Sequence, residues 1–152
     1  MRDELRDSVV WWVVAVIAWL CGAALFFRAQ WLSGFDLISG ADGDGRFIVY
    51  IHEHLFNWLG GTVSFTSPAI FYPQRHVLGY SEAFLLNLLP YASLRAAGID
   101  EFLSLQLTLV LLTLLGYATF IGLLRYAFAI RYPIAIAAAL LFVFSNIMFL
   151  KQ

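Results

Sequence analysis

Residues 40–45 read Gly-Ala-Asp-Gly-Asp-Gly, and a segment carrying His52-Glu53-His54 follows directly. Two carboxylates separated by one residue suit several kinds of chemistry. Asp42 and Asp44 could share a divalent metal. They could open a calcium loop, although the EF-hand pattern breaks here. Counted from Asp42, the fifth position is Arg46 and the twelfth, Glu53, falls inside a helix-like segment. One of them could be a general base. Beside a helix N-terminus the charged form of Asp44 is favoured by the helix dipole, and a base that takes a hydroxyl proton contributes about 10²–10⁴-fold. Two acids among glycines also make an ordinary turn. Spacing alone leaves these readings open.

His52 and His54 look like metal ligands, but helical geometry argues against a shared ion. At about 100° per residue they lie about 160° apart, whereas a helical zinc pair needs i, i+4 spacing. They read as polar edges of an interfacial helix.

Further on, Phe71-Tyr72-Pro73-Gln74-Arg75-His76 interleaves aromatic and polar groups up to Tyr80. Arg75 can grip a phosphate through two parallel hydrogen bonds, and His76 can add a donor. Tyr72 joins them as a candidate substrate contact. Glu82 opens a short apolar segment, where a negative charge is favoured. The bland alternatives are a solvated loop for Arg75 and His76 and a helix-start acid for Glu82.

The elements that would position these residues belong to a membrane protein. The chain of 152 residues is 62% hydrophobic and only 12% charged, against about 25% charged in soluble domains. A net charge of −1 offers no basic surface for nucleic acid. The single cysteine, Cys21, lies in the first apolar run and reads as packing. Three runs without charge, at 9–27, 102–124 and 134–150, approach the roughly 20 residues a crossing needs, the last at the short limit. The first is too long for the roughly 7–15 residues of a signal-peptide core, so it reads as an uncleaved span. A fourth run, 83–97, is shorter and contains Asn87, Pro90 and Arg95.

Arg2 and Arg6 precede the first run, and Arg125 and Arg131 lie between the last two. The positive-inside rule puts both groups in the cytoplasm. Three crossings follow, with 83–97 interfacial or re-entrant; a full fourth crossing is the alternative. The expected fold is therefore an all-α membrane protein with an outer loop over 28–101. Within that loop, 46–59 reads as an amphipathic helix. Arg46, Tyr50, Glu53 and Asn57 form a polar strip, and Phe47, Ile48, Ile51, Leu55, Trp58 and Leu59 form the opposite face. The apolar face would rest on the outer leaflet, or pack on other membrane helices.

The order of these pieces resembles the N-terminal part of GT-C-type bacterial integral membrane glycosyltransferases, the mannosyltransferase and aminoarabinose-transferase group. The residues that carry the resemblance are Gly43-Asp44 with the 46–59 helix, Phe71-Tyr72-Pro73, Tyr80-Ser81-Glu82, the 83–97 segment, the Arg125/Arg131 loop and Phe144-Ser145. The resemblance implies sugar transfer from a polyprenyl-phosphate carrier to an acceptor on the extracytoplasmic face of the inner membrane. It implies Asp44 as the base or acceptor-positioning group, with Asp42 as a helper. Basic residues of the outer loop would hold the lipid phosphate. Such transferases have more spans than this chain, so the expected partners are the bilayer, the lipid-linked donor, and a further C-terminal part or a membrane partner. The rival readings are a small non-catalytic subunit whose outer loop docks a protein, and a transporter or channel. The latter is disfavoured because the apolar runs lack ionisable residues.

Overall fold

The computed structural model describes residues 2–38, 42–80 and 83–145; side chains are described from Val9 in the first helix and from Gly43 in the third. Among these residues all regular structure is helical: α1 (Arg2–Phe26), α2 (Arg28–Leu32), α3 (Asp42–Leu59), α4 (Leu85–Ala96), α5 (Glu101–Gly122) and α6 (Tyr132–Phe144). Short 3₁₀ turns occupy Ala69–Phe71 and Leu78–Tyr80, and a π-helical turn, Leu123–Ala127, follows α5. The chain divides into two compact units, one of Met1–Leu37 with Val110–Gln152 and one of Ile38–Leu109.

In the first unit α1 packs on α6. The contact uses small residues and rings. Ala15, Trp19, Ala23 and Phe27 recur at i, i+4 spacing and are buried, as are Ala135, Ile136 and Ala139 of α6. Alanines at such spacing let two helix backbones approach closely. Trp11 stacks on Tyr132 at 6.1 Å between centroids, and Phe26 meets Phe144 at 5.4 Å. Pro133 sits in the first turn of α6, where its missing N–H has no intrahelical partner to lose. Arg125 lies 3.9 Å over the Tyr132 ring and donates to the Ile130 carbonyl, which ties the loop between α5 and α6 together.

Among the described residues two helices are long and apolar enough to cross a membrane, Val9–Phe26 and Glu101–Ala127, and only 11% and 17% of these windows is buried. A core helix of a soluble domain would be mostly covered. Here Val9, Val13, Val16, Ile17 and Leu20 on α1 and Leu115 and Leu123 along the second window are exposed, a surface that suits hydrocarbon rather than water. These features support a membrane protein. The described part of the third apolar run is the 13-residue α6, shorter than a crossing; the remainder of 134–150 beyond Ser145 lies outside the described residues.

In the second unit α3 packs on α4. Ile51 and Leu55 of α3, Leu88 of α4 and Leu78 of the connection form one buried cluster; Val49, Tyr91 and Leu105 form another. Asp100 caps α5, its Oδ1 accepting from the N–H groups of Phe102 (2.8 Å) and Leu103 (3.0 Å).

The structure corrects the expected elements in four places. α3 begins at Asp42 rather than Arg46, so the acid-glycine motif is the first helical turn, where acids complement the dipole. Gly61, at φ +74°, ends that helix as expected. The 28–101 segment opens with α2, held to α1 by the Trp31 Nε1 hydrogen bond to the Ala23 carbonyl (3.2 Å). The apolar face of α3 that would meet lipid is largely covered by α4; Trp58 and Leu59 at its end stay exposed, with Leu85, Leu86 and Leu89 of α4. His52 and His54 are not polar edges: both are buried, because α4 and the connection close over the α3 surface that carries them.

Candidate functional site

Asp44 stands exposed in the first turn of α3. Among the described residues it has no hydrogen-bonded or ion-paired partner. The side chain of Asp42 and all of Glu82 lie outside the described residues.

The connection between α3 and α4 carries the other predicted residues. His76 is in the left-handed region at φ +60°, a conformation that costs non-glycine residues energy and that His tolerates better than most. Three hydrogen bonds hold this segment. The Thr66 hydroxyl bonds His76 Nδ1 at 2.7 Å, the His76 N–H donates to Ser67 Oγ at 3.1 Å, and the Leu78 N–H donates to the Thr66 carbonyl at 3.1 Å. Arg75 beside it is exposed, with no ion pair among the described residues. Tyr72 is 86% exposed and lines a shallow hollow with Phe71 and Tyr80.

The best-knit polar constellation lies elsewhere. Glu53, on the polar strip of α3, accepts from the Tyr91 hydroxyl (2.7 Å) and from Arg95 Nε (2.6 Å) through Oε1, and from Arg95 Nη2 (3.2 Å) through Oε2. Arg95 also donates to the Ile99 carbonyl and stands 3.9 Å from Glu101 Oε2. The Glu53 carboxylate bound to it raises the pKa of Arg95, and burial followed by the Glu53 hydrogen bond pushes the Tyr91 phenol well above its ordinary range. Both donors therefore keep their protons, and the carboxylate is held in a fixed orientation.

Glu53 faces a cleft of about 260 Å³ lined by Tyr50, Glu53, His54, Asn57, Val63, Ser67 and Ala69. Tyr50, Glu53 and Asn57 belong to the strip read from the sequence. His54, Val63, Ser67 and Ala69 enter because the connection folds back over α3. The Ala69 N–H donates to the Tyr50 hydroxyl at 2.7 Å, and His54 Nε2 bonds the Phe65 carbonyl at 3.2 Å. His52 points away to the Ile48 carbonyl at 2.8 Å, its ring against Tyr91 at 4.9 Å and Phe84 at 6.0 Å. Burial lowers its pKa, only partly opposed by that backbone hydrogen bond.

Of the predicted site residues whose side chains are described, none lines this cleft: Asp44, Tyr72, Arg75 and His76 all lie outside its lining. His76 reaches it indirectly, through Ser67. Sequence reasoning missed Tyr91 and Arg95 as partners of Glu53; the only signal was that Glu53 sits on a polar strip that needed a counter-charge.

No protein-family model, curated protein or solved structure matches the chain. Its class rests on its own features: among the described residues, all-α structure with two helices fit to cross a membrane and a helical unit bearing a cleft lined by polar and apolar side chains.

Proposed function

We propose that the chain is the N-terminal part of a membrane glycosyltransferase that moves a sugar from a polyprenyl-phosphate carrier to an acceptor on the extracytoplasmic face. The observation that carries this reading is the carboxylate of Asp44, exposed and unpaired among the described residues, at the head of an 18-residue amphipathic helix, shortly after a helix fit to span the bilayer. In the reaction, Asp44 takes the proton of the acceptor hydroxyl. The acceptor oxygen bonds to the anomeric carbon, the bond from that carbon to the phosphate oxygen breaks, and polyprenyl phosphate leaves. Arg75 and His76 hold the phosphate, Tyr72 and Glu82 contact the substrate, and Asp42 assists Asp44 directly or through a divalent metal. The arrangement is multi-pass in the inner membrane: N-terminus in the cytoplasm, three crossings, and residues 28–101 outside. The exposed Leu85, Leu86 and Leu89 of α4 bring that segment to the lipid surface, at the level of the carrier phosphate.

The test uses the natural membrane preparation, with any longer polypeptide or partner intact, and a radiolabelled polyprenyl-phosphate sugar. Asp44→Asn is expected to lower transfer at least about 100-fold with the protein still inserted. Transfer that survives the substitution removes Asp44 from the reaction, and a wild-type preparation without transfer removes the enzyme reading.

One observation favours a second reading, a small non-catalytic subunit that docks a partner. Phe71, Tyr72 and Tyr80 are 50%, 86% and 71% exposed around one hollow, and aromatics are enriched at interfaces. Co-purification of a partner lost on Tyr72→Ala, with no transfer in the wild type, would favour it.

A further inference from the structure

We propose that the cleft on α3 binds a small, neutral, polyhydroxylated ring the size of one sugar unit. The assignment needs only the cleft and stands apart from the chemistry proposed for Asp44.

The cleft is built before any ligand arrives. One wall is the α3 strip, where Tyr50, Glu53, His54 and Asn57 fall at i, i+3, i+4 and i+7 and so share a face. The other is the connection, with Val63, Ser67 and Ala69. Three ties hold the walls together. The Ala69 N–H bonds the Tyr50 hydroxyl, His54 bonds the Phe65 carbonyl, and Thr62 bonds the Asn57 carbonyl through both its N–H (3.1 Å) and its hydroxyl (2.9 Å).

What these ties leave over decides the ligand. The Tyr50 and Ser67 hydroxyls accept from the Ala69 and His76 N–H groups and keep their own protons to donate. His54 Nε2 donates to the Phe65 carbonyl, and in the neutral ring its Nδ1 is an acceptor. Glu53 has acceptor capacity beyond its bonds to Tyr91 and Arg95, and the side-chain amide of Asn57 offers both functions. Donors and acceptors are thus both present in the lining, which is what neighbouring hydroxyls require, since each both donates and accepts.

Charge excludes the other small ligands. Among the described residues no lysine or arginine lines the cleft, so a phosphate finds no cation there. The Glu53 charge is already matched by Arg95 at 2.6 Å, so a cation finds no free anion. Val63, Ala69 and the Tyr50 ring supply an apolar patch for the C–H face of a pyranose. The volume of about 260 Å³ is below the roughly 300–1,000 Å³ of drug-sized ligand sites, which points to a single ring rather than an oligomer.

The test titrates the full chain in lipid nanodiscs with a panel of methyl hexosides, read by saturation-transfer difference NMR. At least one hexoside is expected to bind, with Kd of about 1 mM. Asn57→Ala removes an exposed side chain that makes no hydrogen bond among the described residues. It is expected to weaken binding about tenfold with the helix content unchanged. Val63→Trp fills the cleft from a half-exposed loop position and should abolish binding. Asp44→Asn should leave binding within about twofold, so that loss of transfer and loss of binding are separable. The assignment is overturned if no hexoside binds the wild type up to about 50 mM, if Asn57→Ala or Val63→Trp binds as well as the wild type, or if inorganic phosphate competes.

Discussion

Arg95 Nε donates to Glu53 Oε1 across 2.6 Å, joining residues 42 positions apart in the chain. The two side chains are 21% and 25% exposed, covered enough that neither is freely hydrated once its partner is gone. The pair joins α3 to α4 beside the Val49–Tyr91–Leu105 cluster, through the Tyr91 hydroxyl and the Phe56 ring under Arg95, and it decides which way the Glu53 carboxylate faces.

Glu53→Gln should therefore destabilise the second unit by about 2 kcal/mol, because Arg95 keeps its charge and loses the counter-ion. Tyr91→Phe removes one donor and should cost about 1 kcal/mol. Denaturant unfolding in micelles, with hydrogen exchange on α3 and α4, measures both. Losses below about 0.5 kcal/mol for the two, the level of an ordinary surface substitution, would mean that water replaces the pair at no cost.

His52 should make stability depend on pH. Burial lowers its folded pKa below the ordinary 6.5, so the unfolded chain binds the proton at a higher pH than the folded one. Stability is then fully present above about pH 6.5, declines as pH falls toward the folded pKa, and levels off below it. Its Nε2 is buried without a partner among the described residues, so a second ring proton would have nothing to bond. His52→Phe should flatten the unfolding midpoint between about pH 6.5 and pH 5. An unchanged pH profile in that variant would assign the acid sensitivity to other groups.

Gly22 should tolerate little. A Cβ there would lie 2.6 Å from Phe144 Cε2, at the end of a side chain that can turn. Gly22→Ala should cost about 1 kcal/mol, within the overpacking range, and Gly22→Leu more. Steric trapping of the α1–α6 pair in bicelles measures the cost. The diagnostic is rescue: adding Phe144→Ala should recover most of the Gly22→Ala loss, and an additive double variant would show that the two do not press on one another.

Topology is open to a direct measurement. After Cys21→Ser, cysteines at Gly43 and Ala129 should react with a membrane-impermeant reagent from opposite sides of the bilayer, Gly43→Cys from outside. A Cβ at Gly43 meets nothing within 4 Å, and Ala129 is exposed. Labelling of both from one side would rule out the three-crossing arrangement.

The apolar runs were legible because the bilayer leaves its mark in composition. A span must present uncharged side chains over its length whatever its neighbours are, so residues 9–27 and 102–124 announce α1 and α5. The strip Arg46-Tyr50-Glu53-Asn57 was legible for a similar local reason, the pitch of one helix. So were the C-terminal end of α3 at the Gly60-Gly61 pair and α4 within 83–97. The helical start at Asp42 was not, since two acids and two glycines satisfy a turn and a first helical turn equally well.

What covers a helix face is a different kind of fact. Nothing in the local pattern around His52 and His54 says that they are buried, or that Glu53 meets Tyr91 and Arg95 rather than water. Those outcomes required α4 and the 62–80 connection to fold over α3. They depend on pairings tens of residues apart, whose free energy belongs to both partners at once. The sequence by itself determined which segments seek hydrocarbon and which helix face is polar. Only the tertiary structure decided that the polar face would become the wall of a cleft, because a cavity exists only when two distant segments are held a fixed distance apart.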